Sequence, residues 1–268
     1  MSPAGSVLVV VPTYNEAGNV ATVLRRLRGC APFADVLVVD DDSPDGTAEV
    51  AETVGGELGR ISVLHHGRKR GIGGAYRDGL ARGLEEGYEV LVEMDGDHSH
   101  DPAALPNLLA AVAGGADLAI GSRYVPGGSI QNWPWHRRVL SRYGNRYAQR
   151  ALGLPVVDAT SGYRAYRASA LRRAGLGECN ADGHGFQIEI AYRLARAGGT
   201  LVEVPISFTD RTSGSSKISA GTVLETVGLV TRFALSERYQ PQPEASMVFS
   251  VLPGYRKPGM GDGAHGPP

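Results

Sequence analysis

Residues 7–20, Val-Leu-Val-Val-Val-Pro-Thr-Tyr-Asn-Glu-Ala-Gly-Asn-Val, decide the fold. Val7–Val11 is a continuous apolar, mostly β-branched run, the pattern of a strand buried on both faces. Pro12 is expected to stop it, and Val20, Val23, Leu24 and Leu27 then recur at helical spacing up to Gly29. The alternation continues outward from this unit. Strands are expected at Val36–Val39, Ile61–Leu64, Val90–Met94 and Leu118–Ile120. Helices are expected from Asp45-Gly46-Thr47 to about Val54, from Gly73 to about Leu84, and over Pro102–Val112. Strand–helix alternation of this kind implies an α/β fold, a mainly parallel sheet with helices on both faces.

The second half is less regular. Tyr124–Trp135 reads as a Gly/Pro/Trp loop, His136–Leu152 as an arginine-rich helix, and residues 155–167 as extended chain. Phe186–Ala197 reads as an amphipathic helix, Leu201–Phe208 as a strand interrupted at Pro205, Asp210–Ser219 as a polar loop, and Gly221–Leu235 as a helix. From Gln240 the tail carries six prolines and five glycines without apolar periodicity, so it is expected to be disordered or loosely docked.

Composition removes several classes. With 27 basic and 28 acidic side chains, the formal charge of −1 exerts no global pull on nucleic acid or anionic lipid. Two cysteines, Cys30 and Cys179, are too few for a disulfide framework or a four-ligand zinc site. No run approaches the roughly 20 apolar residues of a membrane span, and the N-terminus lacks a basic start and apolar core, so no secretory signal is expected. The 37 glycines in 268 residues, about twice the usual share, show no collagen-like period and point to many tight turns.

In open α/β sheets ligands bind beyond the carboxyl ends of the strands. Those ends carry Pro12-Thr13-Tyr14-Asn15-Glu16, then Asp40-Asp41-Asp42-Ser43-Pro44-Asp45, then Asp95-Gly96-Asp97, then Gly121-Ser122-Arg123-Tyr124. Acids crowded at one edge repel unless a cation or a donor-rich ligand compensates. Asp-Gly-Asp alone is ordinary turn chemistry, but directly after a buried strand it suits Mg²⁺ or Mn²⁺ shared with a substrate phosphate. The Asp40–Asp42 cluster reads as helix capping in part, yet capping does not account for four acids in six residues. One of them can accept from a ribose hydroxyl or a base N–H. Tyr14 reads equally as a base-stacking ring or a half-buried aromatic. Gly71-Ile72-Gly73-Gly74 resembles a phosphate loop only weakly and reads better as a helix start packed closely on the sheet.

Of the 27 basic residues only Lys69, Lys217 and Lys257 are lysines. Arg123, Arg137, Arg138, Arg142, Arg146 and Arg150 fall in one segment; Arg137 and Ser141 share a helix face that either fork-binds phosphate or is simply solvated. Asp210-Arg211 and Ser216-Lys217 bracket a loop that reads either as a lid over a diphosphate or as exposed chain. His98-Ser99-His100 lacks zinc spacing. Gly162-Tyr163-Arg164 and Gly183-His184-Gly185-Phe186 read as acceptor-side or structural elements. Val223, Val227, Val230 and Ala234 make an apolar stripe on the last helix, suited to a bilayer interface or to core packing.

Together, Val-Pro-Thr-Tyr-Asn-Glu at 11–16, Val-Val-Asp-Asp-Asp-Ser-Pro-Asp-Gly-Thr at 38–47, Met-Asp-Gly-Asp-His-Ser-His at 94–100 and Gly-Ser-Arg-Tyr at 121–124 resemble the inverting A-type glycosyltransferases of family 2. Trp133, Arg137 and Ser141, Thr160-Ser161-Gly162-Tyr163-Arg164, and Val204-Pro205-Ile206-Ser207-Phe208 with Asp210-Arg211 and Ser216-Lys217 resemble the dolichyl- or polyprenyl-phosphate mannose synthases within it. The likeness spans about residues 6–236.

The resemblance implies an A-type, Rossmann-like catalytic domain over residues 1–236. A nucleotide-sugar half covers about 6–124 and an acceptor half about 125–236, followed by a flexible tail over 237–268. It implies GDP-mannose as donor, a polyprenyl monophosphate as acceptor, inversion at the sugar, and Mg²⁺ or Mn²⁺. By position, Pro12, Tyr14, Glu16, Val39 and Asp41 would hold guanosine. Asp95, Gly96 and Asp97 would hold diphosphate and metal, with Asp95 and Asp97 as metal ligands. Arg123, Arg211 and Lys217 would meet phosphates, and Arg123, Arg137 and Ser141 the lipid phosphate. Asp97, Arg123 and Arg137 would lie nearest the chemistry. Ser99 stands where some members place a glutamine ligand, leaving room for an extra metal-bound water. The expected setting is cytoplasmic, peripheral on the inner face of the cell membrane, with a membrane-embedded acyltransferase or anchor protein as a possible recruiting partner and no nucleic acid. Competing readings are a polyprenyl-phosphate glucosyltransferase using UDP-glucose, and a non-catalytic nucleotide-binding module. A processive synthase is disfavoured by the missing membrane bundle and Gln-x-x-Arg-Trp sequence.

Overall fold

The computed structural model describes residues 6–181, 183–210 and 220–235. Among these described residues, nine strands and eight helices follow one another as β1 (Val7–Thr13), α1 (Val20–Cys30), β2 (Asp35–Asp40), α2 (Thr47–Leu58), β3 (Ile61–His65), α3 (Gly71–Glu85), β4 (Val90–Glu93), α4 (Leu105–Ala113), β5 (Leu118–Ser122), β6 (Ser129–Gln131), α5 (Trp135–Leu152), β7 (Arg164–Arg167), α6 (Ala168–Ala174), α7 (Gly183–Arg196), β8 (Leu201–Pro205), β9 (Ser207–Thr209) and α8 (Ala220–Leu235). Seven strands form one sheet in the order β3-β2-β1-β4-β7-β5-β8. All its pairs are parallel except those of β7, which runs antiparallel to both neighbours. β6 and β9 form a small parallel ribbon.

The apolar strands were expected to be buried on both faces, and β1 shows it. Every residue of β1 is buried, one set facing a core with α3 and α7, the other a core with α1 and α4. Helix α3 lies close on the sheet because Gly79 and Gly83 face it; a Cβ at either would run into Val10 or Leu91. The close approach therefore sits one and two turns beyond Gly71–Gly74, where the sequence suggested it. Gly71 instead has φ +76°, the left-handed backbone that opens the helix.

Three expectations change. Pro12 does not end β1, which continues to Thr13 with Pro12 opposite Val39. In a parallel ladder successive residues address opposite neighbours; Val10 addresses β4, so Pro12 does too, and β4 has left the ladder after Glu93. Its missing N–H costs nothing there. The extended stretch 155–167 narrows to β7, followed directly by α6. Pro205 ends one strand rather than interrupting it: β8 stays in the large sheet through Pro205, and after Ile206 β9 pairs with β6. The segments 211–219 and 236–268 lie outside the described residues, and with them the expected lid and tail. Among the described residues no helix is long and apolar enough to cross a membrane.

Candidate active site

Beyond the carboxyl ends of β1, β2, β4 and β5 lies a cavity of about 400 Å³. Its wall along the ends of β1 and β2 is tied by short polar bonds. Asp40 accepts from the Thr13 hydroxyl at 3.1 Å and from the Ser43 N–H and hydroxyl at 2.8 and 2.7 Å. Asp45 accepts from the Ala17 N–H and from Thr47, and the Thr47 hydroxyl accepts from the Glu16 N–H at 2.9 Å. Two of the four clustered acids thus fasten the β1 loop to the start of α2. Asp42 is exposed in a left-handed turn, φ +63°.

Asp41 alone turns inward. It accepts from the Arg70 and Gly71 N–H groups at 2.6 and 2.8 Å and lies 3.0 Å from His66 Nδ1. Burial alone would raise its pKa; the hydrogen bonds from His66, Arg70 and Gly71 outweigh it and hold the carboxyl below its ordinary value. Tyr14 lies under the Lys69 ammonium, 3.4 Å from ring centre to nitrogen, and both line the cavity with Pro12, Glu16 and Asp41.

The Asp95-Gly96-Asp97 turn forms the floor. Gly96 fits the turn closely against β1: a Cβ would sit a tight 3.2–3.3 Å from Val11, Pro12 and Thr13. Tyr76, fully buried on α3, donates to Asp95 Oδ1 at 2.7 Å; burial, then Asp95 itself, push its pKa well up, so it stays a donor. Asp97 accepts from the Ser99 N–H at 3.0 Å. His100 is buried and stacked on Tyr163 with ring centres 5.1 Å apart; burial lowers its pKa and keeps it neutral.

A divalent cation suits this floor. Two carboxylates lie at one turn, the buried Ser99 hydroxyl beside them has no protein partner, and Gly162 leaves open the space against Asp95 that a Cβ would occupy at 3.3 Å. Among the described residues no third His, Cys, Asp or Glu joins a cluster. That hard, carboxylate-poor set matches a metal completed by substrate phosphate and water.

The opposite wall is cationic and aromatic. Arg123 is buried: its Nε and Nη2 donate to Asp158 at 2.8 and 2.6 Å, its backbone N–H to the same carboxylate at 2.9 Å, and Nη2 also to Thr160. Tyr124, Trp133 and Phe208 surround the guanidinium with ring centres 5.4–5.5 Å from Cζ. Burial opposes its charge, but Asp158 raises its pKa overall. Arg137 lies over Trp133 at 4.1 Å and donates Nη1 to both oxygens of Asp210, at 2.9 and 3.0 Å. One turn on, Ser141 accepts from the Tyr124 hydroxyl at 2.7 Å. Leu140, Tyr147, Ile188, Val227 and Val230 extend this end of the cavity as an apolar wall.

Residues 8–175 match the family model described as Glycosyl transferase family 2. The chain is a family 2 glycosyltransferase. It is 51% identical over 234 residues to an undecaprenyl-phosphate mannosyltransferase of Micrococcus luteus, covering 87% of this chain and 96% of the relative. It is 45% identical over 237 residues to a polyprenol monophosphomannose synthase of Mycolicibacterium smegmatis, covering 88% and 89%. Among solved structures, glucosyl-3-phosphoglycerate synthase from Mycobacterium tuberculosis with Mn²⁺, UDP-glucose and phosphoglyceric acid superposes with a TM-score of 0.65 at 17% identity, covering 86% of this chain and 80% of that one. A Pyrobaculum calidifontis mannosyltransferase with GDP-mannose and Mn²⁺ gives 0.53 at 16%, covering 87% and 74%. At such identities the likeness establishes the A-type fold.

In this glycosyltransferase, Pro12, Tyr14, Glu16, Asp41, Asp95, Gly96, Asp97, Arg123, Arg137 and Ser141 all line the one cavity. Val39 does not. Its side chain is fully buried in the core against Gly79, because β2 alternates faces and position 39 points beneath α3. Arg211 and Lys217 lie outside the described residues. Two partners had no signal in the sequence, Tyr76 behind Asp95 and Asp158 behind Arg123, whereas Phe208 beside Trp133 belongs to the quoted 204–208 motif. Arg164, grouped with candidate acceptor elements, is fully buried and structural. It donates to the carbonyls of Ala159, Ser161 and Gln187 and so shapes the loop carrying Gly162.

Proposed function

We propose that the enzyme transfers mannose from GDP-mannose to a polyprenyl monophosphate, with inversion, giving a β-mannosyl phosphate lipid and GDP. One observation carries this reading: a single cavity joins a carboxylate floor at the strand ends to an arginine–tryptophan wall that continues into apolar side chains. A nucleoside diphosphate sugar suits the first part, and a phosphate on an apolar chain suits the second. The names of the relatives from Micrococcus and Mycolicibacterium support its coarser part, mannose transfer to a polyprenyl phosphate.

The chemistry needs little proton transfer. A phosphate monoester is already largely ionised at neutral pH, its second pKa being about 6. A phosphate oxygen attacks the anomeric carbon, and the bond to the GDP oxygen breaks on the opposite face. Asp95 and Asp97 would hold Mg²⁺ or Mn²⁺, which when bound neutralises the diphosphate. Tyr14 and Asp41 position the nucleoside end, Arg137 and Ser141 hold the attacking phosphate, and Arg123, rigid on Asp158, supplies fixed positive charge between them.

The test offers labelled GDP-mannose or UDP-glucose with polyprenyl phosphate and Mg²⁺. Label is expected in solvent-extractable lipid from GDP-mannose, with the β configuration by NMR. Equal transfer from UDP-glucose would overturn the donor assignment, and an α product the inversion.

A further inference from the structure

We propose that Tyr124 and Asn145 are positioning residues of the acceptor site: together they aim the Ser141 hydroxyl into the cavity and hold the Arg137–Ser141 face of α5 in register with Arg123. The proposal rests on the reading above in taking that face to hold the acceptor's phosphate.

Arg137, Ser141 and Asn145 recur every four residues, so they stand on one face of α5. A serine inside a helix ordinarily turns its proton back to the carbonyl four residues before, as Thr231 of α8 does toward the Val227 carbonyl at 2.7 Å. Ser141 makes no such bond among the described residues. Instead its Oγ accepts from the Tyr124 hydroxyl at 2.7 Å. A hydroxyl has one proton and two lone pairs. With a fixed donor on one lone pair, the serine proton is confined to the remaining directions, where no described residue accepts it, and Ser141 lines the cavity. The phenol is itself held: its ring lies against the Arg123 and Arg142 guanidinium groups, 5.5 and 5.4 Å from its centre. Burial raises its pKa against the pull of Arg123 and of the bond to Ser141, so it stays a donor at neutral pH.

Asn145, buried one turn beyond Ser141, adds the second constraint. Its Nδ2 donates to the Ser141 carbonyl and to Thr160 Oγ1, each at 3.0 Å, and its Oδ1 accepts from the Thr160 N–H at 3.1 Å. Turning the amide over would set N–H against N–H and oxygen against oxygen, so one orientation is allowed. The same Thr160 oxygen accepts from Arg123 Nη2 at 2.9 Å, while its own proton turns toward Asp158 at 3.5 Å. One buried amide thus ties α5, through Thr160, to the Arg123 guanidinium. Arg123 follows β5, Ser141 belongs to α5, and Thr160 precedes β7; without this clamp nothing local sets the spacing of the phosphate donors, on which catalysis by positioning depends.

Calorimetric titration of the full chain with a short, water-soluble polyprenyl monophosphate, without donor, tests this apart from any transfer. Ser141→Ala should weaken binding about tenfold or more, as for a hydrogen bond to a charged group. Tyr124→Phe, which removes only the phenolic oxygen, should weaken it about three- to tenfold. Tyr124→Phe/Ser141→Ala should be no weaker than Ser141→Ala alone, because the tyrosine acts through the serine. Asn145→Ala and Thr160→Val should both weaken binding, and Thr160→Ser, which keeps the oxygen, should bind more tightly than Thr160→Val. In transfer assays the acceptor KM should rise in Tyr124→Phe and Thr160→Val with the donor KM unchanged. Gly83→Ala, which lowers stability beneath α3, should leave the phosphate affinity at the wild-type value. Wild-type affinity in Tyr124→Phe or in Thr160→Val, additive losses in the double variant, or equal losses in the two Thr160 variants would overturn the assignment. So would unchanged binding in Ser141→Ala, or a loss in Gly83→Ala as large as in Tyr124→Phe. The expected binding pattern without any mannose transfer would contradict the proposed reaction and leave the positioning roles standing.

Discussion

Replacing Asp158 by alanine removes the carboxylate that, among the described residues, is bonded to the Arg123 guanidinium. Asp158 is fully buried and accepts three hydrogen bonds from Arg123, at 2.6–2.9 Å, two of them from the guanidinium. Breaking a buried pair on one side leaves an uncompensated charge and typically costs about 3–5 kcal/mol. For a domain of this size each kcal/mol moves the melting temperature by roughly 2–4 °C, so Asp158→Ala should melt roughly 10 °C below wild type by calorimetry. Arg123→Met/Asp158→Leu replaces the pair by apolar groups and should recover most of that loss while remaining inactive. The reasoning fails if Asp158→Ala melts within about 2 °C of wild type, or if the double variant is as unstable as the single one.

Other outcomes follow from the same geometry. Gly83→Ala forces a methyl into Leu91 and Leu8 under α3; overpacking of this kind should destabilise by about 1–3 kcal/mol in urea titrations, whereas Gly87→Ala, in a left-handed turn with open space, reports backbone strain alone. Gly162→Ala places a methyl 3.3 Å from the Asp95 carboxylate and should raise the Mg²⁺ concentration for half-maximal activity more than it changes stability. Arg137→Ala should raise the acceptor KM about ten- to a hundredfold, the range for a hydrogen bond to a charged group, with the donor KM little changed. Burial pushes Glu93 up to about 7, against the pull of Arg164 and Gln187. Its folded pKa thus exceeds the unfolded value of about 4.3, so the folded state binds the extra proton and stability falls as pH rises from about 4.5 to 7. Glu93→Gln removes that slope: its melting temperature relative to wild type should climb between pH 5 and 8, and a constant difference would contradict the assignment.

The parallel half of the fold was legible because its strands are short apolar runs separated by helical periods, a contrast that survives without tertiary information. β7 was legible only as part of the extended stretch 155–167, since Arg164 and Arg167 make its four residues look solvent-facing. Arg164 is nevertheless central in the sheet, its charge absorbed by three carbonyls that no local pattern announces. The Asp-Gly-Asp turn could be read from its place after a buried strand. The acids at 40–45 were harder to apportion: only Asp41 addresses the cavity, and which of four neighbours does so depends on turn geometry. The side chain of Val39 faces away from the cavity, which was hidden for a related reason. A strand buried on both faces gives no sequence cue to which face holds a given valine. Asp158 is invisible until β5 and the 155–163 loop come together, because its partner Arg123 lies 35 positions away.

The most direct measurement is transfer of labelled mannose from GDP-mannose into organic-extractable lipid, comparing polyprenyl phosphate with unphosphorylated polyprenol, with and without EDTA. Metal-dependent transfer to the phosphate alone is expected, and it should be lost in Asp97→Ala. Equal labelling of the free alcohol, or full transfer in EDTA, would contradict the proposed chemistry.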